Sequence, residues 1–216
     1  MTGMYVHARI LAEPRQWRAV ADALCADGAA RLHGAGGELY GVWRSQIGRP
    51  RDELTVLSVW PEGADEAEAM DLLLDGVADV SGCESQAMAP TLRPEHPDPP
   101  RRQGNYAFRW FDLPMENWPE FLELCTAAWP GFESSYDSQV IGLWQCRDSA
   151  QGLCRSLLLT RRPDLAMWER SKIPQGEAEA EVRRQLSRRY DLCDDTYVYT
   201  TTLLSAEDRQ DEVRWT

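Results

Sequence analysis

Lysine is almost missing from this 216-residue chain: Lys172 is the only one, and arginine carries the rest of the fixed positive charge, the pattern of a GC-rich genome. Histidine is scarce too. His7, His33 and His96 all precede the second half, which therefore has no imidazole to hold haem iron, whose usual proximal ligand is histidine. His96 in a proline-rich stretch and His33 beside Gly34 are poor settings for that role, so no haem and no other cofactor is expected. The six cysteines, Cys25, Cys83, Cys125, Cys146, Cys154 and Cys193, include no C-x-x-C pair, so neither a zinc site nor a thioredoxin-like pair is signalled, and no metal is expected. There is no Walker loop, G-x-S-x-G, H-E-x-x-H or dinucleotide fingerprint.

No apolar run is long enough to span a bilayer, and Met1-Thr2-Gly3-Met4 lacks the basic and apolar regions of a signal peptide. A cytoplasmic protein with no membrane partner is expected. Positive charge is in deficit, 23 Lys and Arg against 35 Asp and Glu, for a net charge of −12. A nucleic-acid partner is excluded on that ground, since phosphate binding needs a basic surface. The one basic cluster, Arg183, Arg184, Arg188 and Arg189, follows Glu177, Glu179 and Glu181 on a predicted helix and reads as a solvated, salt-bridged face.

What the chain does contain is a repeat. With a shift of 101 residues, Tyr5 falls on Tyr106, Trp17 on Trp118, Gly41 on Gly142 and Trp43 on Trp144, without a gap. Each copy opens on a strand, Tyr5–Leu11 or Tyr106–Leu113, rich in aromatic and branched residues. Pro14 or Pro114 then precedes a helix. Its apolar stripe is Trp17, Val20, Ala21 and Leu24, or Trp118, Phe121, Leu122 and Cys125. Gly28 and Trp129-Pro130-Gly131 read as helix stops. A hairpin follows: Glu38–Gln46 with Glu53–Trp60, or Gln139–Cys146 with Leu153–Thr160. A second helix is expected at Ala64–Asp75. In the second copy, Asp164–Ser171 is interrupted by Pro174 and followed by Glu177–Tyr190. The closing strands are Cys83–Met88 and Thr196–Leu204.

The order β-α-β-β-α-β is the ferredoxin-like unit, whose sheet carries helices on one face and needs a cover on the other. The expected fold class is therefore α+β: two tandem ferredoxin-like repeats packed sheet to sheet as an intramolecular barrel. The repeats span 1–93 and 105–205, joined by a stiff proline-rich linker at 94–104 and followed by a polar, partly disordered tail at 206–216.

The first hairpin, Gly41-Val42-Trp43-Arg44-Ser45-Gln46-Ile47-Gly48 followed by Glu53-Leu54-Thr55-Val56-Leu57-Ser58-Val59-Trp60, resembles the NIPSNAP signature, G-x-W-x-[ST]-x-I-G and then a strand of the form x-V-x-x-L-W. Tyr106-Ala107-Phe108-Arg109-Trp110-Phe111 is similar to that family's opening strand, with Arg109 on its arginine. The likeness covers both repeats, most sharply 37–60 and 106–168. Ala8 departs from it in the first copy, and Arg147-Asp148-Ser149-Ala150 replaces the I-G turn in the second. The resemblance implies the dimeric α/β-barrel fold, here within one chain. It implies no particular reaction: the wider superfamily includes cofactor-free monooxygenases, haem-degrading enzymes and stress-response modules.

Several side chains are candidates for chemistry. Tyr5, His7 and Arg9 share one face of the first strand, so His7 can shuttle a proton or simply sit satisfied on the sheet, and Arg9 can hold an anion. Arg109 can grip a carboxylate bidentately, and a glutamate of the protein itself is the favoured partner. Trp43 and Trp144 at repeat-equivalent positions read as packing first and pocket lining second, and Tyr106 is a further pocket candidate. Trp110, Trp129 and Trp168 occur only in the second copy, which places any pocket there, between sheet and helices. Cys146 and Cys154 face each other across the second hairpin if its loop is symmetric, and are expected to be reduced.

Three readings follow: a NIPSNAP-like module binding a small ligand or a protein; a cofactor-independent enzyme, monooxygenase or isomerase, acting on a small aromatic substrate; or a structural unit assembling into homo-oligomers through sheet edges or helices.

Overall fold

The computed structural model describes residues 3–208; of the expected polar tail, 209–216 lies outside the described residues. The first repeat runs β1 (Met4–Ala12), α1 (Trp17–Ala23), a π-helical turn (Leu24–Gly28), α2 (Ala29–Gly34), β2 (Glu38–Ile47), β3 (Glu53–Trp60), α3 (Glu66–Leu74) and β4 (Val80–Arg93). The second runs β5 (Asn105–Pro114), a 3-10 turn (Met115–Asn117), α4 (Trp118–Tyr136), β6 (Gln139–Cys146), β7 (Leu153–Arg162), α5 (Leu165–Arg170), α6 (Glu177–Asp191) and β8 (Asp195–Leu203).

The strands close into one antiparallel barrel in the order β1-β3-β2-β8-β5-β7-β6-β4. Within each repeat the outer strands of the ferredoxin-like sheet would be edges. Here β2 pairs with β8, and β4 pairs with β6. The ring therefore leaves none of these strands with a free edge for pairing with another chain.

Strand alternation sorts the side chains into three layers. Tyr5, Trp43, Leu57, Tyr106, Phe108, Trp110, Trp144 and Tyr199 point into the barrel. Val6, Ala8 and Ile10 point out against Trp17, Val20, Leu24 and Leu73 of the first helices. Phe111, Leu113 and Leu158 point out against Trp118, Phe121, Trp129 and Val182 of the second set.

The lumen depends on the paired glycines and tryptophans. In each copy the register slips just before the glycine, between Leu39 and Gly41 and between Val140 and Gly142. The indole two residues on then folds back over that glycine. A Cβ on Gly41 would meet Trp43 Cη2 at 2.4 Å, and one on Gly142 would meet Trp144 Cη2 at 2.3 Å. Only glycine leaves room for the ring, and both indoles are fully buried.

Two expected helix ends are corrected. The first helix passes through Gly28 as a π-turn and continues to Gly34. The second runs to Tyr136 with Pro130 inside it. Proline sacrifices one helical hydrogen bond there. Burial of Trp129, Phe132 and Tyr136 on one stripe offsets that loss. Gly131 is a contact point: a Cβ would meet Val182 Cγ2 of α6 at 2.6 Å. Glycine lets the two helices approach.

The fourth strand is also longer than the expected Cys83–Met88: it starts at Val80, opposite Ala12 of β1, and from Met88 onward pairs with Cys146, Gln145 and Trp144 of β6.

Gly41→Ala and Gly142→Ala are each expected to lower the unfolding free energy by about 1–3 kcal/mol, the usual cost of an overpacked core, read as a lower urea midpoint. Combined with Trp144→Leu, Gly142→Ala should cost less than it does alone, since the clash is with that ring.

Candidate functional site

Three hollows compete for a functional role. The barrel interior is nearly filled by aromatics. Phe108 stacks on Tyr199 with ring centroids 5.2 Å apart, and Trp43 meets Phe108 edge-on at 5.3 Å. His7 is 2% exposed within this packing, its Nε2 3.0 Å from Tyr199 Oη, with the Trp110 ring edge-on at 5.0 Å. Burial, with smaller contributions from Arg9 and Arg49, lowers the His7 pKa to about 3. Burial likewise raises the Tyr199 pKa. Near neutral pH both groups are held uncharged, which favours a packing role over proton transfer.

One mouth of the barrel is a hollow of about 550 Å³ lined by His7, Arg9, Trp110, Asp112, Arg155 and Tyr197, among others. Both arginines there are occupied. Arg9 reaches Glu53 at 2.8 Å and Glu84 at 2.7 Å. Arg155 pairs with Asp112 at 3.0 Å and donates to Tyr197 Oη at 3.0 Å. The anion that Arg9 holds is thus the protein's own. At the other mouth, Tyr40 and Tyr106 meet linker residues, and Tyr106 Oη donates to the Arg102 carbonyl at 2.6 Å.

The third hollow lies outside the barrel, between the second sheet and helices α4 and α6. It measures about 390 Å³. Strand alternation on β5 sends Phe108 and Trp110 into the lumen and Ala107, Arg109 and Phe111 out to this cavity. Arg162 reaches it from the end of β7, Lys172 from beyond α5, and Arg183 and Arg189 from α6. Trp129, Phe132 and Leu158 supply an apolar wall.

Arg162 and Arg189 are 8% and 7% exposed, yet no carboxylate pairs with them among the described residues, and the Nε of each lacks an acceptor. Arg162 donates one bond to Thr160 Oγ1 at 3.2 Å, and Arg189 approaches Cys125 Sγ at 3.4 Å. Aromatic faces give partial relief: Arg162 sits 4.9 Å from the Phe132 ring centroid, and Arg189 4.9 Å from that of Phe111. Such contacts contribute about 0.5–2 kcal/mol each, against several kcal/mol for desolvating a charge. The cluster is under-compensated. Arg109 and Arg162 are both lowered to about 10, by burial first and then by neighbouring arginines. Lys172, on the exposed rim, is lowered to about 8 by partial desolvation and then by Arg109, Arg162 and Arg183.

The structure thus separates the residues singled out in the sequence. Tyr5, Trp43, Tyr106, Trp110 and Trp144 line or fill the lumen, His7 and Arg9 lie towards its mouth, and only Arg109 faces the outer cavity. Trp110 is therefore not part of the sheet–helix space, whereas Trp129 is. The expected glutamate partner for Arg109 is absent among the described residues: after burial, the groups that act on its charge are Arg189, Tyr190 and Arg183. Cys146 and Cys154 do not face each other. Cys146 points into the lumen and Cys154 into the helix layer, both as free thiols raised to about 12 by burial.

The basic cluster of α6 is also divided. Arg184 pairs with Glu177 and Glu181, and Arg188 with Glu120, as a solvated face should. Arg183 and Arg189 line the cavity instead. Helical periodicity carries that signal, since Arg189 lies seven residues from the buried Val182.

No protein-family model matches the sequence, and no curated protein matches it. Solved structures do match the fold. A proposed monooxygenase from Lactobacillus acidophilus superposes with a TM-score of 0.57 at 10% identity, covering 98% of this chain and 100% of that one. A chlorite dismutase from Candidatus Nitrospira defluvii gives 0.57 at 9%, covering 94% and 91%. A haem-binding protein from Thermus thermophilus gives 0.55 at 15%, covering 94% and 91%. At these identities the likeness is one of fold alone: a duplicated ferredoxin-like, dimeric α/β barrel. For haem, the lining of the outer cavity does not fit the usual ligation, since it contains no histidine.

The folded-state pKa of His7 lies below its unfolded value, so its contribution to stability is present above about pH 6.5 and is lost as pH falls towards 3. At pH 5 the loss reaches about 2 kcal/mol. His7→Phe, which places in the first repeat the residue the second carries at Phe108, should flatten the stability profile between pH 7 and 5 in urea titrations. Parallel profiles for the two proteins would show that His7 is not the buried neutral group.

Proposed function

We propose that this chain is a NIPSNAP-like small-ligand-binding module whose ligand sits in the cavity between the second sheet and helices α4 and α6. The observation that carries this reading is the cavity itself, about 390 Å³ with a tryptophan and a phenylalanine on one side and unpaired cationic side chains on the other. That size falls at the lower end of small-molecule pockets, which run from about 300 to 1,000 Å³.

The asymmetry of the repeat supports it. At the position of Arg109 the first copy has Ala8, packed in a core with Trp17, Val20 and Leu24. The second copy has replaced that filling with a lined space. The enzymatic reading gains less support, because its proton-transfer candidate His7 is held neutral inside aromatic packing. The assembly reading loses its sheet-edge route in the closed ring. Solved relatives named as haem-binding or as monooxygenases are consistent with small-molecule handling on this fold, but fold likeness alone does not assign chemistry.

Native mass spectrometry of the full chain, after incubation with a cellular metabolite extract, is the direct test. A small-molecule adduct is expected on the wild-type chain and not on Ser187→Trp, which places an indole at the cavity wall from the exposed side of α6. Ser187→Trp should keep the wild-type circular-dichroism spectrum. A bare mass for the wild type across extracts, or an adduct that Ser187→Trp retains, would remove the reading.

A further inference from the structure

We propose that this cavity is an oxyanion site, built to take the carboxylate or phosphate group of a small molecule whose apolar body lies against Trp129 and Phe132. The proposal rests on the cavity being the ligand seat and adds the charge class of the ligand.

The first argument is the mismatch between supply and use of carboxylates. The chain has 35 acidic residues and a net charge of −12, so counter-charge is abundant. Elsewhere many arginines find it: Arg9, Arg93, Arg147, Arg155, Arg170, Arg184 and Arg188 each reach a carboxylate within 3.0 Å, while Arg31, Arg44 and Arg161 are met by backbone carbonyls instead. Arg109, Arg162 and Arg189 have no such partner among the described residues. Among the described residues Asp191 is the only acidic one lining the space, and no ion pair joins it to these arginines.

The second argument is hydrogen bonding. A guanidinium carries five donor hydrogens. Arg162 and Arg189, both more than nine-tenths buried, each have one side-chain acceptor, and the Nε of both is left over. Buried donors are normally satisfied, so leftover ones mark where an acceptor is missing. An oxyanion supplies two or three oxygens and negative charge at once, the complement of a guanidinium fork.

The third argument is placement. The cations converge from three separate pieces of the second repeat, β5, the β7 end and α6, with Lys172 at the rim. Like charges drawn together from separate elements repel one another, and the lowered pKa values of Arg109 and Arg162 are in keeping with that repulsion. An anion between them turns repulsion into attraction. The apolar wall of Trp129, Phe132 and Leu158 excludes a ligand that is charged throughout.

Benzoate and phenyl phosphate are suitable probes, with benzamide and benzyl alcohol as neutral counterparts, each titrated into the full chain by isothermal calorimetry and by thermal unfolding. At least one anionic probe should bind at least tenfold more tightly than the neutral pair and raise the unfolding temperature. Arg109→Met should lose that binding tenfold or more, while unfolding at a higher temperature than the wild type without ligand, because a half-buried charge without a carboxylate partner, repelled by neighbouring arginines, has gone. Arg109→Lys should recover part of the affinity. An arginine with a purely structural role would give the opposite shift in the ligand-free protein. If neutral probes bind as well as the anions and Arg109→Met is without effect, the oxyanion assignment is overturned and the ligand seat stands. If no probe of either class binds and Arg109→Met lowers the unfolding temperature, both are overturned.

Discussion

The barrel is held in shape by an indole lying on its own strand's glycine, twice over. Trp43 over Gly41 and Trp144 over Gly142 each fill a share of the lumen that no smaller side chain could. A β-bulge just ahead of each glycine aims the following residues. Once these rings are seated, Tyr106 and Phe108 meet Trp43 edge-on, Tyr5 and Tyr40 pack against Trp144, Tyr199 stacks on Phe108, and the interior is committed to packing. Open space then has to lie elsewhere, and in this chain a cavity lies behind the sheet.

That displacement explains the division of labour between the two faces of β5. One face continues the aromatic interior through Phe108 and Trp110. The other presents Arg109 to a cavity. The strand is a shared wall, and its charged side is tolerable only because helices α4 and α6 stand off there, giving room for five cationic side chains.

The architecture was largely legible in the sequence, because repeat-equivalent Tyr, Trp and Gly residues mark both copies and the period-two and helical patterns are clear. Glycine and proline were misread where they serve packing: Gly131 makes room for Val182, and Pro130 is carried by the aromatic stripe around it. Local rules treat such residues as stops, and the neighbour that overrules them is distant in sequence. The cavity was half legible. Arg109 and Trp129 stand out in the sequence, as does the space between the second sheet and its helices. Arg183 and Arg189 do not, because a run of arginines near glutamates looks solvated until the turn of the helix each occupies is considered, and Arg162 at the end of a strand carries no mark of its own. Their lack of partners is a property of three dimensions and has no signature in spacing.

The closed ring has one more consequence. A single repeat would be an open four-stranded sheet with two raw edges and an aromatic face turned to water, so closure requires two copies. Two identical subunits could meet that need, but every residue would then appear twice about a symmetry axis. A cluster of buried cations would be duplicated along with the scaffold. Joining the copies through the 94–104 segment keeps the partner always at hand and releases it from being identical. Alanine can then stand at position 8 while arginine stands at position 109, so one half serves as the mould and the other is free to be hollow.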